Sequence, residues 1–450
     1  MKKLLVSFGV ILAAIATMNA QGFKKPDYVR GSIYSIRLDA PSTSTGNFEE
    51  EIDVMTSVFD TLDYEHVYRK YNAFNAGERV IDFDDLPDVT DTEVAAIKAL
   101  NGREDKKNST EDEKYAAQVL KLLNEQGVGK AIVAKWFNHP DSTDYSKLDI
   151  DKSFTNIIKY GLLSLSEDEK AANKEAQKDN SAAAVELAGQ LIDASYVLVT
   201  RFDFATPSEQ IQWMIDDKLA PLYEKLAKVP GPMKDLVQTT INTTTETLKQ
   251  SLEETIKINA IAGRSYLYKL KWMGAEAFSQ KYFEHPEAFA DASADEFQLE
   301  YITTTRGTNS LVTEVGGEKL NVEKAITRQS KKVLNKNVNR LAQQYDAFAP
   351  IERLYTNDKG EPYVKLGTQD GVTKDSKFVA LKLDANGNLV PGGELAVAKG
   401  GLWNNNTEAD DVEANMAAAE DSNANLQYTL LSGKAKGCSY VRFGGGKKKK

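Results

Sequence analysis

The chain has 450 residues, 27% of them charged, with a formal net charge of −10 and one cysteine. That acidic balance argues against general nucleic-acid binding, because attraction to phosphates supplies most of such affinity. A single cysteine excludes an internal disulfide and every zinc site built on two or four cysteines, and the length predicts two or three domains with cores that need no covalent staple.

The first residues, MKKLLVSFGVILAAIATMNAQG, join Lys2 and Lys3 to an uncharged, largely apolar run from Leu4 to Ala16, with the small residue Ala20 before Gln21. The pattern is that of a signal peptide, residues 1–20, and the run is shorter than the roughly 20 apolar residues a membrane-spanning helix needs. Export is therefore expected, to the periplasm, the outer membrane or the exterior. The mature chain is expected to start near Gln21 and to have no transmembrane span. Loss of Lys2 and Lys3 takes the net charge from −10 to −12.

Residues 28–38, YVRGSIYSIRL, read as a first strand, and the acidic stretch 40–60 reads as irregular. Residues 111–124 predict a helix with Ala116, Val119, Leu120 and Leu123 on one face and acids in the first turn, where the helix dipole favours them. Gly127 ends it, and a short helix resumes over 129–137. An Ala-rich helix is expected over 166–192. Residues 196–204, YVLVTRFDF, form an unbroken β-former run suited to an interior strand. Thr206-Pro207-Ser208-Glu209 opens the next helix. After the breaker at 229–232, Met233, Leu236, Val237, Ile241, Leu248, Leu252 and Ile256 recur at helical spacing. The stretch NTTTET at its centre is poor in helix propensity. Residues 262–272 place Tyr266, Tyr268, Leu270 and Trp272 on one side of a strand, and 296–305 and 310–315 continue the β pattern. A long amphipathic helix covers 321–347, with Ile326, Val333, Val338, Leu341 and Tyr345 inward.

After Pro350 the helical period gives way to closely spaced turn signals and short β runs at 363–367, 377–383, 394–398, 426–431 and 439–443. The segment 404–424 lacks β-formers and reads as an excursion, with a helix at 408–420 as one option. In VKLGTQDGVTKDSKF (364–378), Gly367 and Gly371 serve a chain reversal, and Val364, Leu366, Phe378 and Ala380 face one core. The fold class is therefore α+β: a mixed α/β region over 21–348, with 229–232 as a possible subdomain break, a small antiparallel barrel over 351–443, and a basic tail, 444–450.

Chemistry-bearing patterns are sparse. His66, His139 and His285 lack metal-ligand spacing. GVGK (127–130) has Asn124 where a phosphate loop has glycine and Ala131 where it has Ser or Thr. DANGN (384–388) is half a calcium loop without its closing Glu and reads as a hairpin turn. Cys438 reads as a packing residue of a terminal strand. Acids run together at Glu49-Glu50-Glu51, Asp82, Asp84-Asp85, Asp88, Asp91 and Asp410-Asp411, which read as solvated surface; a carboxylate pair among them is the basis of an alternative reading as a secreted glycosidase-like hydrolase. Lys324, Arg328, Lys331, Lys332, Lys336 and Arg340 form a basic helix face open to an acidic partner. Lys447, Lys448, Lys449 and Lys450, after three glycines, suit weak contact with an anionic surface. No catalytic, cofactor-binding or metal-binding residue is assigned, and no cofactor is expected.

The residues KLGTQDGVTKDSKF, LDANGNLV and ELAVAKGGLW resemble the C-terminal domain of a flagellar H-ring assembly protein, a likeness over about 50 of the 450 residues that implies an SH3-like barrel. The remainder, GVGKAIVAKWFN included, resembles uncharacterised exported proteins of Bacteroides-type bacteria, and Asp60-Thr61-Leu62 and Asp141-Ser142-Thr143 resemble their O-glycosylation acceptor sequence. Together these readings lead to the expectation of a non-enzymatic exported cell-envelope protein with a binding or assembly role.

Overall fold

The computed structural model describes residues 28–444, except 43, 101–110, 162–170, 172, 174–180, 213, 216–218, 220–225, 227–230, 257, 312–313, 316–317, 320, 346–347, 385–387 and 406–426. The expected leader, the basic tail, Asp410, Asp411 and most of the 404–424 excursion lie outside the described residues.

Two sheets organise the chain. The first contains β1 (Ser32–Asp39), β2 (Asn72–Ala73), β3 (Val80–Asp82), β4 (Ser195–Ala205), β5 (Ala260–Leu270) and β6 (Leu299–Ser310). Their order is β2-β1-β4-β5-β6, with β3 also on β1. Strand β1 runs parallel to β2, β3 and β4, whereas β4, β5 and β6 are antiparallel neighbours. A two-stranded hairpin, β7 (Glu314–Val315) with β8 (Glu318–Lys319), follows. The second sheet is antiparallel and forms a nearly closed barrel from β9 (Ile351–Arg353), β10 (Tyr355–Thr356), β11 (Pro362–Val364), β12 (Lys377–Leu383), β13 (Leu389–Val397), β14 (Thr429–Gly433) and β15 (Tyr440–Phe443).

The described helices are α1 (Glu49–Thr61), α2 (Tyr64–Val67), α3 (Asp91–Leu100), α4 (Glu111–Glu125), α5 (Val128–Phe137), α6 (Thr155–Gly161), α7 (Ser181–Asp193), α8 (Gly231–Thr255), α9 (Ala275–Phe278) and α10 (Val322–Gln344). Both faces of the first sheet are covered. Tyr34, Ile36, Leu38, Val197, Val199, Tyr266 and Tyr268 point towards α3 to α7, and Ile33, Tyr196, Leu198, Phe204 and Leu267 towards α1, α2 and α10. The period-2 alternation of strand side chains sends each set to its own layer. Because both layers are apolar, β4 reads as a continuous β-former run rather than an alternating one.

Several expectations need correction. The stretch 40–60 contains α1, which places Met55, Val58 and Phe59 on α10 and its three leading acids in the first turn. Short apolar spacing inside an acidic segment hid that helix. The β pattern expected over 296–305 and 310–315 is present with shifted bounds: β6 begins at Leu299 after a 3-10 turn at Ala294–Phe297 and runs on to Ser310, and β7 follows at Glu314–Val315. Met233, expected inward, is 57% exposed. The Thr-rich centre of α8 is helical, and Thr239, Thr243, Thr244, Thr245 and Thr247 each satisfy their hydroxyl by donating to the carbonyl four residues back. Cys438 precedes β15 and packs against the barrel core from a turn.

Helix α10 lies close on the sheet where Gly263 and Gly307 face each other across β5 and β6. A Cβ on Gly263 would meet Val333 Cγ1 at 2.5 Å and one on Gly307 the Val333 carbonyl at 2.9 Å. Asn337 uses that closeness to donate to Gly263 O at 2.9 Å and to Ser265 Oγ at 2.8 Å.

Candidate functional site

The chain crosses from β1 to β2 through α1 and α2 on one face and from β3 to β4 through α3 to α7 on the other. Reversals of this kind open a crevice beyond the carboxyl ends of the strands, where open α/β sheets usually bind ligands. Here the crevice is filled. A cavity of only 20 Å3 remains among Arg37, Asp39, Ser42 and Asp203. Arg37 pairs with Asp39 at 2.7 Å, and Ser42 donates to Asp203 at 2.7 Å. Glu209 closes the Ser44–Thr45 loop, accepting from Ser44 Oγ at 2.6 Å, Thr45 N at 2.6 Å and Thr206 N at 2.8 Å. Against the upward push of burial, these hydrogen bonds hold its carboxyl down at about 2. Thr206 and Glu209 also satisfy each other as a capping box, so the TPSE start signal serves both helix and loop.

A larger, open concavity lies elsewhere, at the start of β6. A groove of 680 Å3 runs between α3, α4 and the 294–301 segment, within the roughly 300–1,000 Å3 typical of ligand sites. Its apolar lining includes Ile97, Ala117, Leu120, Leu299 and Tyr301, and Leu100 is 61% exposed at its rim. Asn124 forms the end wall: its side chain accepts from Leu299 N at 2.7 Å and donates to Leu299 O at 3.2 Å, standing in for a neighbouring strand. A Thr90–Glu93 capping box starts α3. Hydrogen bonds from the Thr90 amide and hydroxyl keep the Glu93 carboxyl below its usual range. Lys121 donates to Asp88 O at 2.9 Å and Gln118 to Pro87 O at 3.0 Å, tying the approach to α3 onto α4. The rim is acidic, with Glu93, Glu125, Asp295 and Glu300 against Lys121, which itself lies 3.8 Å from Glu93.

A second polar assembly joins the two sheets. Asp370, 2% exposed, accepts from Gly367 N at 2.8 Å and Asn405 Nδ2 at 2.9 Å and lies 3.4 Å from Arg69 Nη2. Lys70 donates to the Asp370 carbonyl at 2.9 Å and to Asn339 of α10. Burial drives the Lys70 amine down to about 8, opposed by the pull of Asp370 and Glu352. Burial also raises the Glu352 carboxyl. The GTQDG reversal is a 3-10 turn (Thr368–Asp370) with Gly371 at φ +80°, and it links β11 to a strand that is not its partner, so it is no hairpin. Its four core residues are buried together as expected. Sequence reasoning saw the turn and missed the junction; the only signal was an Asp between two glycines that no hairpin required.

The other singled-out residues scatter. Glu49, Glu50 and Glu51 head α1, Asp82 caps the Phe83–Asp85 turn by accepting from Asp84 N, and Asp91 heads α3. Glu111 and Asp112, at the head of α4, reach buried Arg201 at 3.6 and 4.0 Å, and Asp112 reaches Arg264 at 3.2 Å. His139 lies 3.9 Å from Asp151 and His285 lies 3.7 Å from Glu287, both largely exposed. Gly127, at φ +67°, separates α4 from α5, and Lys130 donates to Ala290 O at 2.8 Å. Asp384 accepts from Asn388 N at 2.9 Å within the β12–β13 hairpin. On the basic face of α10, Lys336 donates to Thr308 O at 2.8 Å and Arg340 to Arg306 O, so part of that charge covers β6. Thr61 ends α1, its hydroxyl donating to Val58 O at 2.9 Å, and the Ser142 hydroxyl donates to Asp144 O at 3.4 Å.

Compared with known proteins, the chain matches no family model, no curated protein and no solved structure. Among the described residues, no helix is long and apolar enough to cross a membrane.

Proposed function

We propose that this chain is a non-enzymatic, exported cell-envelope protein that binds a partner protein through the acidic groove beside β6. The observation that carries the reading is the groove itself: an apolar floor, an exposed Leu100, and four carboxylates against one lysine on the rim. That chemistry suits an amphipathic segment with an apolar anchor flanked by Lys or Arg. The floor supplies affinity through burial, and the rim supplies selection and encounter rate. The barrel serves in this reading as an SH3-like module held beside the α/β body, and the lysine tail adds weak contact with anionic surfaces.

The test uses the mature chain with two labelled probe peptides of one pattern, Leu/Lys and Leu/Glu, followed by fluorescence anisotropy. The Leu/Lys peptide should bind, weaken with salt and lose binding to Leu100→Glu, while the Leu/Glu peptide should not bind. Equal binding of both peptides, or binding unchanged in Leu100→Glu, overturns the reading. Export is tested separately by N-terminal sequencing from envelope and culture fractions. A start at residue 21 or its neighbour is expected, and an intact Met1 there overturns export.

A further inference from the structure

A cavity of 130 Å3 lies where the two bodies meet, independent of the groove. Its floor is the entry to β1 and β4, from Tyr28 to Gly31 with Ala194 and Tyr196, and its roof is Phe348 to Ile351 at the entry to the barrel. At about 30 Å3 per liquid water it has room for a few waters or one small ion. Two cationic side chains line it, Arg30 and Lys70. The Arg30 Nε is buried without a hydrogen-bond partner. The Lys70 ammonium has three donors, and two meet Asn339 Oδ1 and Asp370 O.

Among the described residues, Arg30, Arg69 and Lys70 are the cations that act on Glu352, with Asp370 as the second carboxylate. Asp370 is already committed to Gly367, Asn405 and Arg69. Burial lowers the affinity of the Lys70 amine for its proton, and the pull of Asp370 and Glu352 offsets only part of that. On one aromatic wall, the Tyr71 hydroxyl is spent on Phe348 O, and its ring stacks on Phe348 at 4.8 Å.

We propose that this cavity is a binding site for one small oxyanion, a short monocarboxylate or dihydrogen phosphate, which takes the free donors of Arg30 and Lys70 on the α/β body beside the entry to the barrel. Clefts between packed bodies are common ligand sites.

The experiment is isothermal titration of the full mature chain with sodium acetate and with sodium phosphate, against a sodium chloride background of equal ionic strength. A saturable isotherm for either anion, weakened at least about tenfold in Arg30→Met, is expected, since removing one partner of a buried charge contact costs that much or more. Arg30→Lys should restore part of the affinity. Saturation by acetate alone assigns a carboxylate site, by phosphate alone a phosphate site, and by both a general oxyanion site. Lys434→Met, in the turn after β14, serves as the control and should leave binding unchanged. No saturable binding of either anion, or equal affinity in wild type and Arg30→Met, overturns the proposal. Lys70→Met should weaken binding likewise, and Arg30→Met alone decides the outcome where Lys70→Met does not fold.

Discussion

Among the described residues the N-terminal sheet has 39 buried apolar side chains in the cluster on one face and 24 in the other, whereas the barrel core has ten, one of which, Ala342, belongs to α10. The larger body closes both faces of its sheet with its own helices. The smaller one borrows a side chain, a cation over its Phe443 ring (Lys70, 5.7 Å) and the hydrogen bonds of its key turn from the larger. Small bodies bury a smaller fraction of their surface and sit nearer the edge of stability. Buried ion clusters add little net stability, and removing one member is strongly unfavourable. The junction therefore acts chiefly on orientation: Asp370, Lys70 and Asn339 meet in one arrangement, and any other leaves charges unpaired.

The comparison breaks most sharply at Phe378. Phe378→Ala should destabilise the barrel by about 3–5 kcal/mol. Urea unfolding should then split into two transitions, with the barrel leaving first, and a single shifted transition would mean that the two bodies unfold as one. Asp370→Ala is expected to cost about 3 kcal/mol, because the Gly367 amide and the Asn405 side chain lose their buried acceptor and Lys70 and Arg69 lose a nearby counter-charge; a loss below about 1 kcal/mol would show that water takes over the contact. Gly371→Ala combines a positive φ with a Cβ placed 2.7 Å from Asn339 and should cost about 1–2 kcal/mol. Thermal melts of the variant against the neighbouring Thr373→Ala separate this from a general loop effect.

The pH dependence of Lys70 sharpens the same comparison. Unfolded, its amine holds a proton to about 10.5; folded, it releases the proton near 8. Between those values the unfolded state binds more protons, so stability gained from this residue rises with pH, and below pH 8 the full cost of the buried charge remains. Urea midpoints at pH 7 and pH 9.5 should therefore rise in wild type relative to Lys70→Met, and parallel behaviour of the two would remove Lys70 from the account. Glu209 has the same sign in an acidic window, its contribution present above about 4.5 and lost as pH falls towards 2. The smallest effect is expected at the groove, where Leu100→Glu should change stability by no more than about 0.5 kcal/mol. A larger loss would mean that the exposed leucine packs on something, and that the groove is part of the core.

The amino-acid sequence alone determined the elements whose signals are local. The strands 196–204 and 262–272, the helices at 111–124 and 321–347, the Thr206–Glu209 start and the β-rich region after Pro350 all follow from periodicity, caps and turn residues, which act over a few positions. Helix α1 escaped because its buried residues, Met55, Val58 and Phe59, cover too narrow a stripe to stand out among acids until α10 lies against them. Tertiary structure alone decided what the marked residues do. Glu209 fills a loop that an unbound ligand site would leave open, Lys70 and Asp370 meet across 300 positions of chain, and an acidic groove forms from α3, α4 and β6. Those outcomes depend on distances between segments far apart in sequence, and burial, charge pairing and desolvation act on such distances rather than on residue type.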